Sequence, residues 1–287
     1  DQLFAIGVER SDTIISVGGG VITDLAGFLA SSCLRGLNLI HIPTTLLAQV
    51  DASIGGKTGI NHKSGKNLIG AFYQPHAVIC DSSVLSTLPK EECLSGFAEI
   101  IKISLIKDPS LYDTLKTHAK TLMKFDFTNN ATLWNEIISK SCQHKIDIVS
   151  QDEKEAGIRA LLNFGHTIGH AIEAFFNYKT YKHGECVIFG ICAATFIAEK
   201  RNLISAAAAT HIYTLIKDYN YHHTTLKSFS LADVLPILKQ DKKVKKDTLH
   251  FVLLTAIGKA KVVSDITQDD IEKSIDFIHD FFKGDIK

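Results

Sequence analysis

His166 and His170, in the stretch NFGHTIGHAIE, are four residues apart and share one face of any helix that carries them. Imidazoles at that spacing suggest a helical zinc site, although the glutamate of the metalloprotease pattern is replaced by Thr167. A third histidine, His183, stands in YKHGECV, where a strongly apolar run begins. Glu99 in GFAEIIK has Phe97, Ala98, Ile100 and Ile101 as neighbours, so its carboxylate is expected to be buried and to need a partner. Metal is one candidate partner, and a core salt bridge is the other, with Lys102 three residues on. One glutamate and two histidines would leave zinc an open position, the arrangement of a catalytic rather than a structural site. Lys145 and Arg159 flank the same region. Arg159, Asn163, His166 and His170 fall at helical spacing, so one continuous helix would carry all four on a single polar stripe.

Other candidates sit in glycine-rich turns. Gly18, Gly19 and Gly20 close the run TIISV and open the helical pattern VITDLAGFLASSCL, leaving backbone N–H groups to meet a phosphate at a helix N-terminus. The dinucleotide fingerprint needs a further glycine at position 23, which is Thr23, and a tight strand-to-helix turn explains the three glycines equally well. Lys57 in GGKTGIN looks like the tail of a P-loop, but the glycine required five residues before Gly56 is Asp51, which excludes that reading. Lys57 is then a lysine in a glycine-rich loop, followed by Lys66 and Asn67 in SGKN, while Arg35-Gly36 brings a cation to a strand entrance. Each is a candidate anion contact, and each taken alone is also an ordinary solvated side chain.

These residues need a scaffold. The β-branched run at 13–20, LNLIHIPTT at 37–45 and HAVICD at 76–81 read as strands alternating with helix, which predicts a parallel sheet covered on both faces. After Leu88-Pro89 the pattern turns helical, which places a domain boundary near residue 89 and predicts domains 1–89 and 90–287. The run CVIFGICAATFIA is too short to span a bilayer and predicts a buried helix, and LHFVLLTAIGKAKVV predicts a hairpin turning near Gly258. Zero net charge over 287 residues argues against nucleic-acid or membrane-surface binding. Six cysteines without a Cys-x-x-Cys pair predict reduced, packed thiols, and the opening residues lack the order of a signal peptide, so a cytoplasmic location is expected. Three strands are too few for a complete nucleotide-binding sheet, so further N-terminal residues are expected to precede Asp1.

Taken together, GGGVITDLAGFLA, RG, IPTTLLAQVDASIGGKTGIN, GKNLIGAFYQP, LPKEECLSGFAEIIK, DEKEAGIRALLNFGHTIGHAIE, HGE and DKK, in this order from residue 18 to 243, closely resemble the 3-dehydroquinate synthases. These are sugar phosphate cyclases of the shikimate pathway, which leads to chorismate and the aromatic amino acids. The resemblance implies an α/β Rossmann-like NAD-binding domain, here without its first strands, followed by an all-α metal- and substrate-binding domain, with the active site in the cleft between them. It implies conversion of 3-deoxy-D-arabino-heptulosonate 7-phosphate to 3-dehydroquinate and phosphate, by transient oxidation with NAD, phosphate elimination, reduction and intramolecular aldol closure. The metal, zinc with cobalt as the other option, falls to Glu99, His166 and His183. NAD falls to Gly19, Gly20, Val21, Ile22, Asp24, Thr44, Thr45, Lys57 and Lys66. Phosphate falls to Lys57, Asn67, His170, Lys242 or Lys243, and Arg35 from a partner subunit of a homodimer. The carboxylate falls to Lys145 and Arg159, while Asp51, Lys102 and Asn163 orient hydroxyls and His170 helps to move protons. Of the two neighbouring histidines only His166 is thus expected to bind metal. The family departs from this chain at Thr23, where many members have a small residue, and in having additional N-terminal strands with an acidic residue for the adenosine ribose.

Three rival readings remain. Sister cyclases act on other sugar phosphates and share much of this constellation, but Lys145 with Arg159 favours a carboxylated substrate. A polyol or iron-dependent alcohol dehydrogenase would not need so many phosphate-directed cations. A non-catalytic nucleotide-binding relic would retain the side chains without releasing phosphate.

Overall fold

The computed structural model describes residues 1–63, 65–221, 226–240 and 249–283. In chain order the first elements are α1 (Gln2–Ala5), β1 (Thr13–Gly18), α2 (Gly20–Ser32), β2 (Asn38–Pro43), β3 (Lys57–His62), β4 (Gly65–Phe72) and β5 (Ala77–Val78). Helices follow as α3 (Lys90–Lys107), α4 (Pro109–Thr117), α5 (Ala119–Leu122), α6 (Ala131–Gln151), α7 (His166–Phe175), α8 (His183–Lys200), α9 (Ala206–Asp218) and α10 (Leu231–Gln240). A hairpin, β6 (Phe251–Ala256) and β7 (Lys259–Val263), precedes the last helix α11 (Gln268–Phe281). The chain forms two compact units, 1–96 with 126–156 and 97–125 with 157–287. A single cut near residue 89 does not describe this division: α6 belongs to the unit of the sheet, and α4 and α5 to the other.

In the first unit β1, β2 and β5 form a parallel sheet in that order, with Ile14 opposite Leu39 and Ser16 opposite His41. The β-branched residues of TIISV favour the extended backbone, and α2 is the crossover that a parallel neighbour requires. Ala30, Cys33, Leu37 and Leu39 form the buried core beneath it, joined by Ile14 and Ala26. The prediction of a sheet covered on both faces holds for one face among the described residues. On the other, Ile15 and Val17 of β1 remain 57% and 60% exposed.

The glycine-rich stretch turns at Gly55 and Gly56 (φ 100° and 68°), and from Lys57 onward it is not a loop. It forms the antiparallel hairpin β3–β4, with Gly59 opposite Gly70 and Ile60 opposite Ile69. A Cβ on Gly70 would lie 2.2 Å from the Thr58 carbonyl oxygen, so glycine is what lets the two backbones approach. The same glycines erase the apolar alternation by which a strand is recognised in sequence.

The second unit is built around α8, whose residues Cys186 to Ala194 are all buried, as the apolar run predicts. It packs on α7, α9, α11 and β6. The hairpin turns at Gly258 (φ 84°), as expected. The continuous polar stripe is absent. Ile158–Asn163 is a 3-10 helix, Phe164 is extended, Gly165 takes φ 78°, and only then does α7 begin, at His166. Arg159 and Asn163 therefore belong to a different helical segment from His166 and His170. Gly165 lies against α8, and its left-handed backbone is the conformation that breaks the helix at small cost only with glycine.

Candidate metal centre and nucleotide-binding elements

Glu99 lies on α3, His166 opens α7 and His183 opens α8, all within the second unit. The Nε2 atoms of His166 and His183 lie 3.5 Å and 3.3 Å from the same oxygen, Glu99 Oε1. Two donors on one tetrahedral zinc, each bonded at about 2.1 Å, are separated by about 3.4 Å. Each histidine is oriented from behind. His166 Nδ1 lies 3.1 Å from the Phe164 carbonyl oxygen, and His183 Nδ1 lies 3.3 Å from Glu173 Oε2. With the ring proton on Nδ1 in both, the two Nε2 lone pairs would converge on the Glu99 oxygen, an arrangement that a cation between them stabilises. His183 is held in place by the first turn of α8, which is closed by a Glu185 carboxylate accepting from the Lys182 N–H at 2.7 Å.

Glu99 is 1% exposed, and neither carboxylate oxygen makes a hydrogen bond of good geometry. A buried carboxylate in that condition is costly unless charge compensates it. Lys102 pairs with Oε2 and is equally buried, so both candidate partners of Glu99 are present, the core salt bridge on one oxygen and a cation site on the other. Burial is the largest influence on Glu99 and opposes its charge. Lys102, His166 and His183 together outweigh it and hold the carboxyl well below the usual range. Burial, with Lys102, keeps His166 far below the ordinary histidine value. At His183 burial again opposes the charge, but Glu173 and Glu99 override it and carry the imidazole up to about 9. A divalent cation fits this donor set: one buried carboxylate oxygen with two imidazole nitrogens at tetrahedral separations from it, His183 giving up its second proton when the cation binds.

His170 stands beside the cluster. Its ring centroid is 4.9 Å from that of His166 and 5.7 Å from that of His183, and the ligating atoms of the three histidines lie within 4.8 Å of one another. It is the exposed member of the three. Arg159 is 2% exposed and Asn163 is half-buried.

In the first unit the glycine turn meets the end of β2. Gly19 caps α2, and a Cβ there would lie 2.9 Å from Thr45 Cγ2, while the Thr44 N–H donates to the Gly18 carbonyl at 2.9 Å. Thr23 is buried and donates its hydroxyl to the Gly20 carbonyl at 2.9 Å, so the missing third glycine is accommodated inside the helix. Val21 and Ile22 are 78% and 43% exposed on the first turn. Asp24 faces Asn67 at 3.5 Å. Burial first and the Asp51 carboxylate second raise it to about 6, against the lowering effect of Lys145 and Asn67. Lys145, 6% exposed, donates to Asp51 at both the carboxylate (2.6 Å) and the backbone carbonyl (2.7 Å). Lys57 pairs with Glu155, and Gln74 donates to Glu153 at 2.9 Å. Lys66 and Arg35 are exposed, Arg35 with φ 65°. Lys242 and Lys243 lie outside the described residues.

The sequence reading missed Glu155 and Glu173. Glu173 left a signal: a carboxylate inside the packing run AIEAFF must find a partner, as Glu99 must. Glu155 left none, because its acidic neighbours make it look like a solvated turn.

This chain is similar to 2-epi-5-epi-valiolone synthase from Streptomyces hygroscopicus subsp. jinggangensis 5008, solved with NAD+ and Zn2+ bound. The TM-score is 0.89 at 28% identity, covering 98% of this chain and 77% of that one. It is also similar to 2-deoxy-scyllo-inosose synthase complexed with carbaglucose-6-phosphate, NAD+ and Co2+, with TM-score 0.81 at 28% identity, covering 96% and 76% of the two chains. The fold, with its Rossmann-like sheet unit and its helical unit holding a carboxylate–imidazole cluster, is thus that of the sugar phosphate cyclases. Within that class the assignment is narrower. The chain belongs to the 3-dehydroquinate synthase family, whose N-terminal model matches residues 1–95 and whose C-terminal model matches residues 96–244. The 3-dehydroquinate synthase of Rippkaea orientalis is 50% identical over 268 residues, which are 93% of this chain and 72% of that protein. No helix among the described residues is long and apolar enough to cross a membrane.

Proposed function

We propose that this chain converts 3-deoxy-D-arabino-heptulosonate 7-phosphate to 3-dehydroquinate and inorganic phosphate, with NAD and a divalent metal, zinc or cobalt, as cofactors. The observation that carries this reading is the convergence of His166 Nε2 and His183 Nε2 on one buried oxygen of Glu99. These three residues would hold the metal, which when bound supplies a Lewis acid for a substrate hydroxyl. NAD supplies a hydride acceptor that is regenerated within the cycle, so no net redox change occurs.

In the first unit, Gly19 and Gly20 at the α2 N-terminus would present N–H groups to the cofactor's pyrophosphate. Asp24, Thr44, Thr45 and Lys66 would add polar contacts to NAD, and Val21 and Ile22 apolar ones. Lys57 and Asn67 would meet the substrate phosphate, with Glu155 holding the Lys57 ammonium in place until the phosphate arrives. Lys145, oriented by its two bonds to Asp51, would meet the substrate carboxylate, and Asp51 would orient a hydroxyl.

In the second unit, Arg159 would meet the carboxylate, and Lys102 and Asn163 would orient hydroxyls. His170 would face the phosphate and carry a proton, a role supported by its exposed imidazole beside two half-buried ones. Lys242 or Lys243 would add a cation. A homodimer, with Arg35 serving the partner's site, completes the proposal.

The test is an assay of the heptulosonate phosphate with zinc and NAD present. Phosphate and 3-dehydroquinate should form in equal amounts without accumulated NADH. Net NADH formation, or no phosphate release by protein shown to hold zinc and NAD, would reject the reading. Conversion of a sugar phosphate lacking a carboxylate in its place would move the assignment to a sister cyclase.

A further inference from the structure

Glu173 sits on α7 in the middle of an apolar packing run and is 5% exposed. Its Oε2 lies 3.3 Å from Nδ1 of His183, and Nε2 of the same ring lies 3.3 Å from Glu99 Oε1. One imidazole is therefore gripped at its two nitrogens by two buried carboxylates. A ring proton on Nδ1 satisfies Glu173 and turns the Nε2 lone pair toward Glu99. The reverse tautomer would set a lone pair against the Glu173 carboxylate.

We propose that Glu173 is a positioning residue for the metal centre. It fixes the Nδ1–H tautomer of His183 and, through its charge, makes Nε2 a stronger donor to the divalent cation shared with Glu99 and His166. This rests on reading those three residues as the ligands. The two histidines differ in this respect. His166 is backed by a neutral peptide carbonyl at 3.1 Å, and His183 by a full negative charge. Truncating the support of His183 removes charge as well as orientation. A carboxylate behind an imidazole ligand raises ligand basicity, and its loss typically weakens metal affinity by about 10- to 100-fold.

The experiment measures the zinc Kd of the whole chain by competition with a chromophoric chelator, for the parent, Glu173→Gln and His183→Ala. Urea midpoints in chelator check that each variant is folded. Glu173→Gln preserves shape and an accepting oxygen but removes the charge, and is expected to bind zinc about 10- to 100-fold more weakly. His183→Ala should lose the site. Unchanged affinity in Glu173→Gln with loss in His183→Ala would overturn the role of Glu173 and leave the ligands standing. Unchanged affinity in both would overturn the ligand reading itself. The tautomer can be read without any variant, from long-range 1H–15N spectra of the zinc-loaded parent. Metal-bound Nε2 with protonated Nδ1 at His183 is expected, and metal on Nδ1 would refute the proposal even if the variants failed to fold.

Discussion

Gly190→Ala tests how closely the two helices that carry the histidines must cross. A Cβ at position 190 would lie 1.7 Å from the Gly165 carbonyl oxygen and 2.9 Å from the Gly169 nitrogen, while a Cβ on Gly169 would lie 2.6 Å from the Cys186 carbonyl oxygen. The contact is backbone against backbone, so no side chain can rotate away. A carbon and a carbonyl oxygen need about 3.3 Å, so α7 and α8 would have to separate by roughly 1.5 Å at this point. Overpacking of this kind costs about 1–3 kcal/mol, and this contact belongs at or above the upper end of that range. The chemical consequence is larger, because metal–ligand distances tolerate only about 0.2 Å. His166 opens α7 and His183 opens α8, so a displacement of that size would pull apart the donors that now lie 3.5 Å and 3.3 Å from Glu99 Oε1. Gly190→Ala should therefore lower the urea midpoint of the metal-free protein and weaken zinc binding by more than about 100-fold. Ala193→Gly, on the same buried helix, is the control. It should cost about 1 kcal/mol from helix propensity while keeping zinc, because it adds nothing to the crossing. A Gly190→Ala protein with the parent's midpoint and zinc affinity would refute the reasoning, and equal zinc loss in the control would show that destabilisation alone is responsible.

Three further outcomes are expected. His166→Ala should lose zinc, whereas His170→Ala should keep it and lose turnover; equal metal loss in both, measured by zinc content after dialysis, would make His170 a ligand too. Lys102→Met leaves Glu99 buried without its lysine, and should cost about 3–5 kcal/mol in the metal-free protein but less at saturating zinc, where the cation compensates the carboxylate. Equal losses in urea melts with and without zinc would separate Glu99 from the metal. Asp24, raised to about 6 chiefly by burial, prefers to be neutral in the folded state, so its ionisation is a cost that is absent below about pH 4 and fully present above pH 6. The shift corresponds to about 3 kcal/mol at most, reduced to about 1–2 by partial solvent exposure. Asp24→Asn should raise the stability of the cofactor-free protein by that amount at pH 7.5 and by nothing at pH 4. A variant no more stable than the parent at pH 7.5 would contradict this.

Much of this protein could be read from local spacing. The strand-to-helix turn at Gly18–Gly20, the buried helix α8, the hairpin at Gly258 and the burial of Glu99 follow from periodicity, glycine placement and the cost of hiding a charge, which act over a few residues. The family itself was legible because many short motifs recur in one order. Local spacing failed where tertiary contact overrides local preference. Arg159 and Asn163 match the helical period of His166, yet the close crossing of α8 requires Gly165 to break the helix between them. Lys57 opens a strand whose Gly59 serves the facing backbone at Gly70, while the turn is confined to Gly55 and Gly56 before it. The open choice at Glu99 between salt bridge and metal could be decided only in three dimensions, since Lys102 is a neighbour in sequence whereas His166 and His183 come from two other helices. Sequence determines which groups are too costly to bury alone. Only the packing of distant helices decides which partner each of them meets, because donor positions that must be right to within a few tenths of an ångström are set by contacts that no short stretch of chain contains.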